Sequence, residues 1–155
     1  MAAQQPTIHI VDDDQDVRES IRLLMESVGL PVASYGSAQE YLERFSPDQN
    51  GCLVLDVRMR GMSGLDLQSR LRQFPCHPPI VMISAHGDVP MAVRALQAGA
   101  VDFLEKPFND QALLDAVHRA IQRDALRRGE ASRLAEIKER IARLTPREVE
   151  VMRRG

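Results

Sequence analysis

Two alternating periodicities run through these 155 residues and predict an α/β fold, a parallel sheet covered by helices on both faces. Three observations carry the prediction. The short apolar runs Ile8–Val11, Cys52–Leu55 and Ile80–Ile83 are almost unbroken, as strands buried on both faces require. Between them lie stretches whose apolar residues recur three and four positions apart. Finally, charged side chains follow the runs directly: Asp12 and Asp13 after Thr7–Val11, Asp56 after Cys52–Leu55, and Lys106 after Val101–Glu105. An open parallel sheet gathers its ligand-binding residues beyond the carboxyl ends of its strands, so these four are expected to converge.

The elements follow in order. Val17, Ile21, Leu24 and Val28 mark the first helix, and Gly29 is placed to end it in a left-handed turn. Pro31–Tyr35 reads as the second strand. Ser37 with Glu40 predicts a capping box ahead of Tyr41, Leu42 and Phe45 in the second helix. After the third strand, Ser63 to Phe74 predicts a helix through Leu65, Leu67 and Leu71. Asp88 followed by Pro90 opens a fourth, which Gly99 closes. Val101–Leu104 completes five strands, and Asp110 to Arg123 supplies the fifth helix through Leu113, Leu114, Val117 and Ile121. The sum is (βα)₅.

At 44% hydrophobic and 27% charged residues the chain supports one core of ordinary size with an appendage. Its apolar runs all fall short of the ~18 residues a membrane span needs, so a soluble cytoplasmic protein is expected. Cys52 and Cys76 form neither a redox pair nor a zinc pattern and read as free thiols in a reducing compartment. His9, His77, His86 and His118 are scattered without catalytic or zinc spacing. The net charge of −2 hides an asymmetry: residues 1–117 carry 9 Lys/Arg against 16 Asp/Glu, net −7, and residues 118–155 carry 11 against 6, net +5. The first segment repels nucleic acid, whereas the tail's charge suits either a nucleic-acid neighbour or a solvated helix.

Brought together, Asp12, Asp13 and Asp56 carry about −3, and Lys106 returns one positive charge. A divalent cation neutralises the remainder, and Mg²⁺ suits hard oxygen ligands while bridging phosphate oxygens. A carboxylate in such a site acts as a nucleophile towards phosphorus, with Lys106 and the metal offsetting charge in the transition state. Taken singly, acids after strands are more often helix caps than ligands. The conjunction with Asp56 and Lys106 is what favours a site.

The segments Val11-Asp12-Asp13-Asp14, Leu55-Asp56-Val57-Arg58-Met59-Arg60-Gly61-Met62-Ser63-Gly64, Ser84-Ala85 and Glu105-Lys106-Pro107-Phe108 resemble receiver domains of two-component response regulators. Gly87-Asp88-Val89-Pro90-Met91-Ala92-Val93 and Gly99-Ala100-Val101-Asp102-Phe103 narrow the resemblance to the FixJ-like branch, over about residues 6–124. It implies a flavodoxin-like sheet of order 2-1-3-4-5, phosphorylation of Asp56 by a sensor histidine kinase, and Mg²⁺ held by Asp12, Asp13, Asp56 and the carbonyl of Arg58. It further implies that Lys106 and Ser84 contact phosphoryl oxygens, that the Lys106–Pro107 bond is cis, and that Ser84 and Phe103 switch. The face made by segments 90–98, 101–105 and 110–121 is then the expected output surface, pairing two receivers on phosphorylation. One position departs from the family: Arg60 stands where proline is common, which frees φ, restores an N–H and predicts a more mobile loop.

Beyond the receiver at 1–124, residues 125–143 read as a helical linker, with Leu134, Ile137, Ile141 and Leu144 spaced like a short coiled-coil seam. Leu144-Thr145-Pro146-Arg147-Glu148 is a sharp helix start that resembles the opening of a LuxR-type helix-turn-helix domain over 144–155. No recognition helix follows, so DNA contact is expected only through a full-length C-terminal domain of a longer transcription regulator. Two other readings are set aside on residues. A haloacid dehalogenase-type phosphatase needs an acid two positions after its nucleophile, where this chain has Arg58, and a phosphate-blind interaction module would lack one of the acids or the lysine.

Overall fold

The computed structural model describes residues 5–85 and 88–143. Five strands, β1 (Thr7–Val11), β2 (Val32–Tyr35), β3 (Gly51–Asp56), β4 (Ile80–Ser84) and β5 (Asp102–Glu105), alternate with α1 (Gln15–Ser27), α2 (Ala38–Arg44), α3 (Gly64–Leu71), α4 (Val89–Gln97) and α5 (Asp110–Arg143). All four strand pairings are parallel and the order is β2-β1-β3-β4-β5, as the resemblance implied. The chain steps outwards from β1 to β2 and then returns past β1 to β3. That reversal opens a crevice at the carboxyl ends of β1 and β3, where Asp12 follows β1 and Asp56 is the last residue of β3.

Strand pleating sends alternate residues to opposite faces and builds two cores. Ile8, Ile10, Cys52, Val54, Val81 and Ile83 pack with Ile21 and Met25 of α1 and Leu113, Ala116, Val117 and Ala120 of α5. Leu53, Leu55 and Met82 face the other way, towards Tyr41, Leu67, Leu71 and Ala95 of α2, α3 and α4. Burial on both faces explains why β3 reads as a continuous apolar run.

Local sequence sets most helix ends. Asp14 caps α1, its side chain accepting from the Asp16 and Val17 amides. Gly29 adopts φ 81°, and the bonds Gly29 N–H to Glu26 O and Leu30 N–H to Met25 O close the helix as predicted. Ser63 and Asp66 form a reciprocal capping box on α3. On α2 only half of the predicted box forms: Ser37 accepts from the Glu40 amide, but the Glu40 carboxylate takes the Gly36 N–H instead of that of Ser37. Val28, predicted on the apolar face of α1, is an exposed C-cap residue.

Residues 125–143 are helical, as expected of the linker, but they continue the fifth helix without the break expected after Arg123, so α5 runs from Asp110 to Arg143. Residues 124–143 are rich in Ala, Arg, Glu and Leu, strong helix formers that outweigh the single Gly129. By packing the chain divides into two compact units, Met1–Asp124 and Ala125–Gly155. The expected start of a helix-turn-helix domain at 144–155 lies outside the described residues. No helix among the described residues is long and apolar enough to cross a membrane.

Candidate functional site

Each side chain of the site is delivered by the end of a strand. Asp12 follows β1 and is fully buried; its Oδ1 accepts from the Asp14 amide at 2.9 Å and its Oδ2 from the Lys106 ammonium at 2.9 Å. Asp56 ends β3 and is 5% exposed. Its Oδ2 receives the same ammonium at 3.3 Å, and its Oδ1 the Arg58 amide at 3.3 Å. Asp13 is exposed, yet one of its carboxylate oxygens lies within 4.8 Å of partners on Asp12 and Asp56. The four residues expected to converge therefore do so. Lys106 is aimed by the backbone, whose amide donates to the Ser84 carbonyl at 2.7 Å, and its bond to Pro107 is cis, as the resemblance implied. Gly64 lets the loop after β3 fold tightly: a Cβ there would sit 2.2 Å from the Asp56 carbonyl oxygen.

Charge is the defining property of this pocket. Burial, then the neighbouring Asp12 carboxylate, push Asp56 up to about 6 against the pull of Lys106. Burial alone would lower Lys106, but its bonds to Asp12 and Asp56 outweigh that and hold it above its ordinary value. Three carboxylates facing one ammonium leave an excess of negative charge that a hard divalent cation fits, and an oxygen-only donor set is what Mg²⁺ takes.

Arg60 behaves differently from the sequence expectation. Its main-chain N–H donates to Asp13 Oδ2 at 3.2 Å, so the hydrogen that proline would lack tethers the loop after β3 to the acidic cluster. Ser84 is fully buried and donates its hydroxyl to Asp88 Oδ2 at 2.5 Å. Phe103 is half-buried, packed against the core on the α2–α4 face. Sequence reasoning took Asp88 for a helix opener. In the structure its carboxylate makes no cap bond and instead pairs with both Ser84 and the Arg58 guanidinium. The available signal was Pro90, which removes one of the two amides such a cap would bind.

A cavity of about 460 Å³ opens beside Lys106, lined by Val17, Ser20, Ala85, Pro107 and Phe108.

Comparison with known proteins agrees with this geometry. Residues 8–118 match the family described as response regulator receiver domain. Nodulation protein W of Bradyrhizobium diazoefficiens is 49% identical over 152 residues, covering 98% of this chain and 67% of that protein. The transcriptional regulatory protein FixJ of Azorhizobium caulinodans is 43% identical over 145 residues, covering 94% and 69% respectively. Among solved structures, the response regulator StyR superposes with a TM-score of 0.91 at 47% identity, over 97% of this chain and 76% of that one. The FixJ-N crystal structure gives 0.72 at 45% identity, over 77% and 96%. The chain thus spans about two thirds of the length of these curated relatives.

Proposed function

The chain belongs to the response regulator receiver family of two-component systems, a family of signalling switches, and from that membership we propose that Asp56 is its phosphoacceptor. In this reading an Asp56 oxygen attacks the phosphorus of a phosphohistidine on a sensor kinase, the P–N bond breaks, and the phosphoryl group passes to Asp56 as an acyl phosphate. The observation that carries the reading is the Lys106 ammonium, within hydrogen-bond reach of both Asp12 and Asp56. Placed there, it pairs with a phosphoryl oxygen as charge develops.

Asp12, Asp13, Asp56 and the Arg58 carbonyl would hold Mg²⁺. When bound, the ion neutralises the acid cluster and offsets the charge on the phosphoryl oxygens. The Ser84 hydroxyl donates to a further phosphoryl oxygen, and Phe103 repacks as the loop after β4 draws inwards. The chain catalyses only its own phosphorylation and dephosphorylation.

The output is phosphorylation-dependent pairing of two receivers through α4, β5 and the first part of α5, and the exposed Val89, Val93 and Leu96 of α4 support it. Acting in the cytoplasm, the switch regulates transcription through a DNA-binding domain that residues 144–155 begin. Incubation with Mg²⁺ and acetyl phosphate tests the chemistry. Native protein should gain about 80 Da, one phosphoryl group, and Asp56→Asn should not; equal gain by both would reject Asp56 as acceptor.

A further inference from the structure

Ser84 is the last residue of β4 and Asp88 directly precedes α4, and their side chains are joined. A hydroxyl has a single hydrogen to give. While Ser84 gives it to Asp88, none is left for an incoming phosphoryl oxygen. Asp88 in turn is gripped by Arg58, whose Nε and terminal nitrogen reach its two oxygens at 2.9 and 2.8 Å, a bidentate pair between the loop after β3 and the start of α4. Only 13% of the Asp88 side chain is exposed, against 64% of Arg58. Arg58 and then Ser84 hold the Asp88 carboxyl down at about 2, so it is a full negative charge at working pH.

This charge is also missing from its ordinary place. Asp88 occupies the N-cap position of α4, yet its φ of −88° and ψ of 47° are not those of an extended cap residue and its side chain caps nothing. Pro90 at the second helical position has no N–H, which leaves the Met91 amide as the natural target of a cap at Asp88. Asp88 therefore has two alternative sets of partners: Ser84 with Arg58, or the first turn of α4.

We propose that Asp88 is a positioning residue that withholds the Ser84 hydroxyl from the phosphoryl group, and that phosphorylation displaces it towards the Met91 amide of α4. The inference rests on the phosphoacceptor reading above and names a residue through which that site is restrained. Its physical content is competition. The phosphoryl oxygens and the Asp88 carboxylate bid for one hydrogen, and their like charges oppose close approach. Once the phosphoryl group wins, the freed carboxylate gains the helix N-terminus, where negative charge is favoured. The chemistry at Asp56 is thereby linked to the first turn of the helix on the proposed output face.

The test is the rate of phosphorylation by acetyl phosphate in Mg²⁺, followed by intact mass for four full-chain proteins: native, Asp88→Ala, Ser84→Ala and the double variant. Removing the competitor should speed labelling of Asp88→Ala about tenfold, the equivalent of one charge-assisted hydrogen bond. In the Ser84→Ala background the same substitution should change the rate by less than twofold, since no hydroxyl remains to release. Equal acceleration in both backgrounds, or no acceleration in either, overturns the proposal while labelling of native protein leaves the phosphoacceptor reading intact. Failure of native protein to label overturns both. Asp88→Asn, of the same shape, covers the case in which the alanine variant melts early: it should also label faster than native protein, and a rate at or below native overturns the proposal.

Discussion

Asp56 is costly to the resting fold. Burial and the Asp12 carboxylate raise its proton affinity from the ordinary 3.8 to about 6, so the folded chain binds this proton more tightly than the unfolded chain does. The stability tied to that proton is present below about pH 4 and is lost as pH rises through about 6. Without metal, Asp56→Asn should therefore melt above native protein at pH 8 by a few degrees, on the order of 1–2 kcal/mol after allowing for solvent screening. The two should converge near pH 4, and saturating Mg²⁺ should narrow the gap at pH 8. Native protein melting above Asp56→Asn at pH 8 in chelator would contradict this charge accounting. Arg60 allows a cleaner separation of backbone from charge. Its N–H tethers Asp13, so Arg60→Pro should weaken Mg²⁺ binding by about fivefold, one lost hydrogen bond of ~1 kcal/mol, whereas Arg60→Ala keeps the N–H and should bind like native protein. Calorimetric titration of both variants decides it, and equal affinities would assign the N–H no role.

At the scale of elements, two polar contacts have a loss that can be measured. The amide of Gly51, at the start of β3, donates to the buried Asp124 carboxylate of α5 at 3.0 Å, a clasp between residues 73 positions apart. Asp124→Ala leaves a buried N–H without this acceptor and should cost about 1–3 kcal/mol in denaturant unfolding at unchanged m-value. An effect below 0.5 kcal/mol would show that another group takes over. Where α3 begins, Ser63→Ala removes a cap worth ~1 kcal/mol and should leave phosphorylation unchanged. The neighbouring Gly64→Ala must push on the Asp56 carbonyl, 2.2 Å from the new carbon, and should slow phosphorylation as well as destabilise.

For the molecule as a whole, the members of both core clusters among the described residues all fall at or before Ile121. Residues 1–124 alone should therefore fold with one cooperative transition, and Mg²⁺ should raise its midpoint in proportion to ln[Mg²⁺] above Kd. A non-cooperative melt would mean that the remainder of α5 is needed for the fold. Pairing belongs to the same scale. Sedimentation velocity should show monomer before phosphorylation and dimer after it, and an unchanged mass would reject α4 and β5 as a phosphorylation-dependent interface.

Chain order and burial were legible because they follow from local periodicity: a run such as Cys52–Leu55 has no polar face to offer solvent, and a helix that meets Gly29 has an easy way to stop. Where sequence alone erred, two local solutions were nearly equal. Glu40 had a choice of amides, and nothing local marks a boundary between the fifth helix and the helical linker expected at 125–143, so the two run on as one. The four charged residues could be picked out because each stands at or just beyond the end of a strand of a parallel sheet, and that geometry forces them to one edge. What the sequence by itself determined is thus the set of elements, the parallel character of their sheet and the acids and lysine that meet at its carboxyl end, while the strand order came from the family resemblance. Which atoms pair there was decided only by the tertiary structure. The Ser84 hydroxyl goes to Asp88, the Arg60 N–H to Asp13, and Asp88 itself leaves its helix for Arg58, because hydrogen bonds across loops depend on distances that no spacing along the chain specifies.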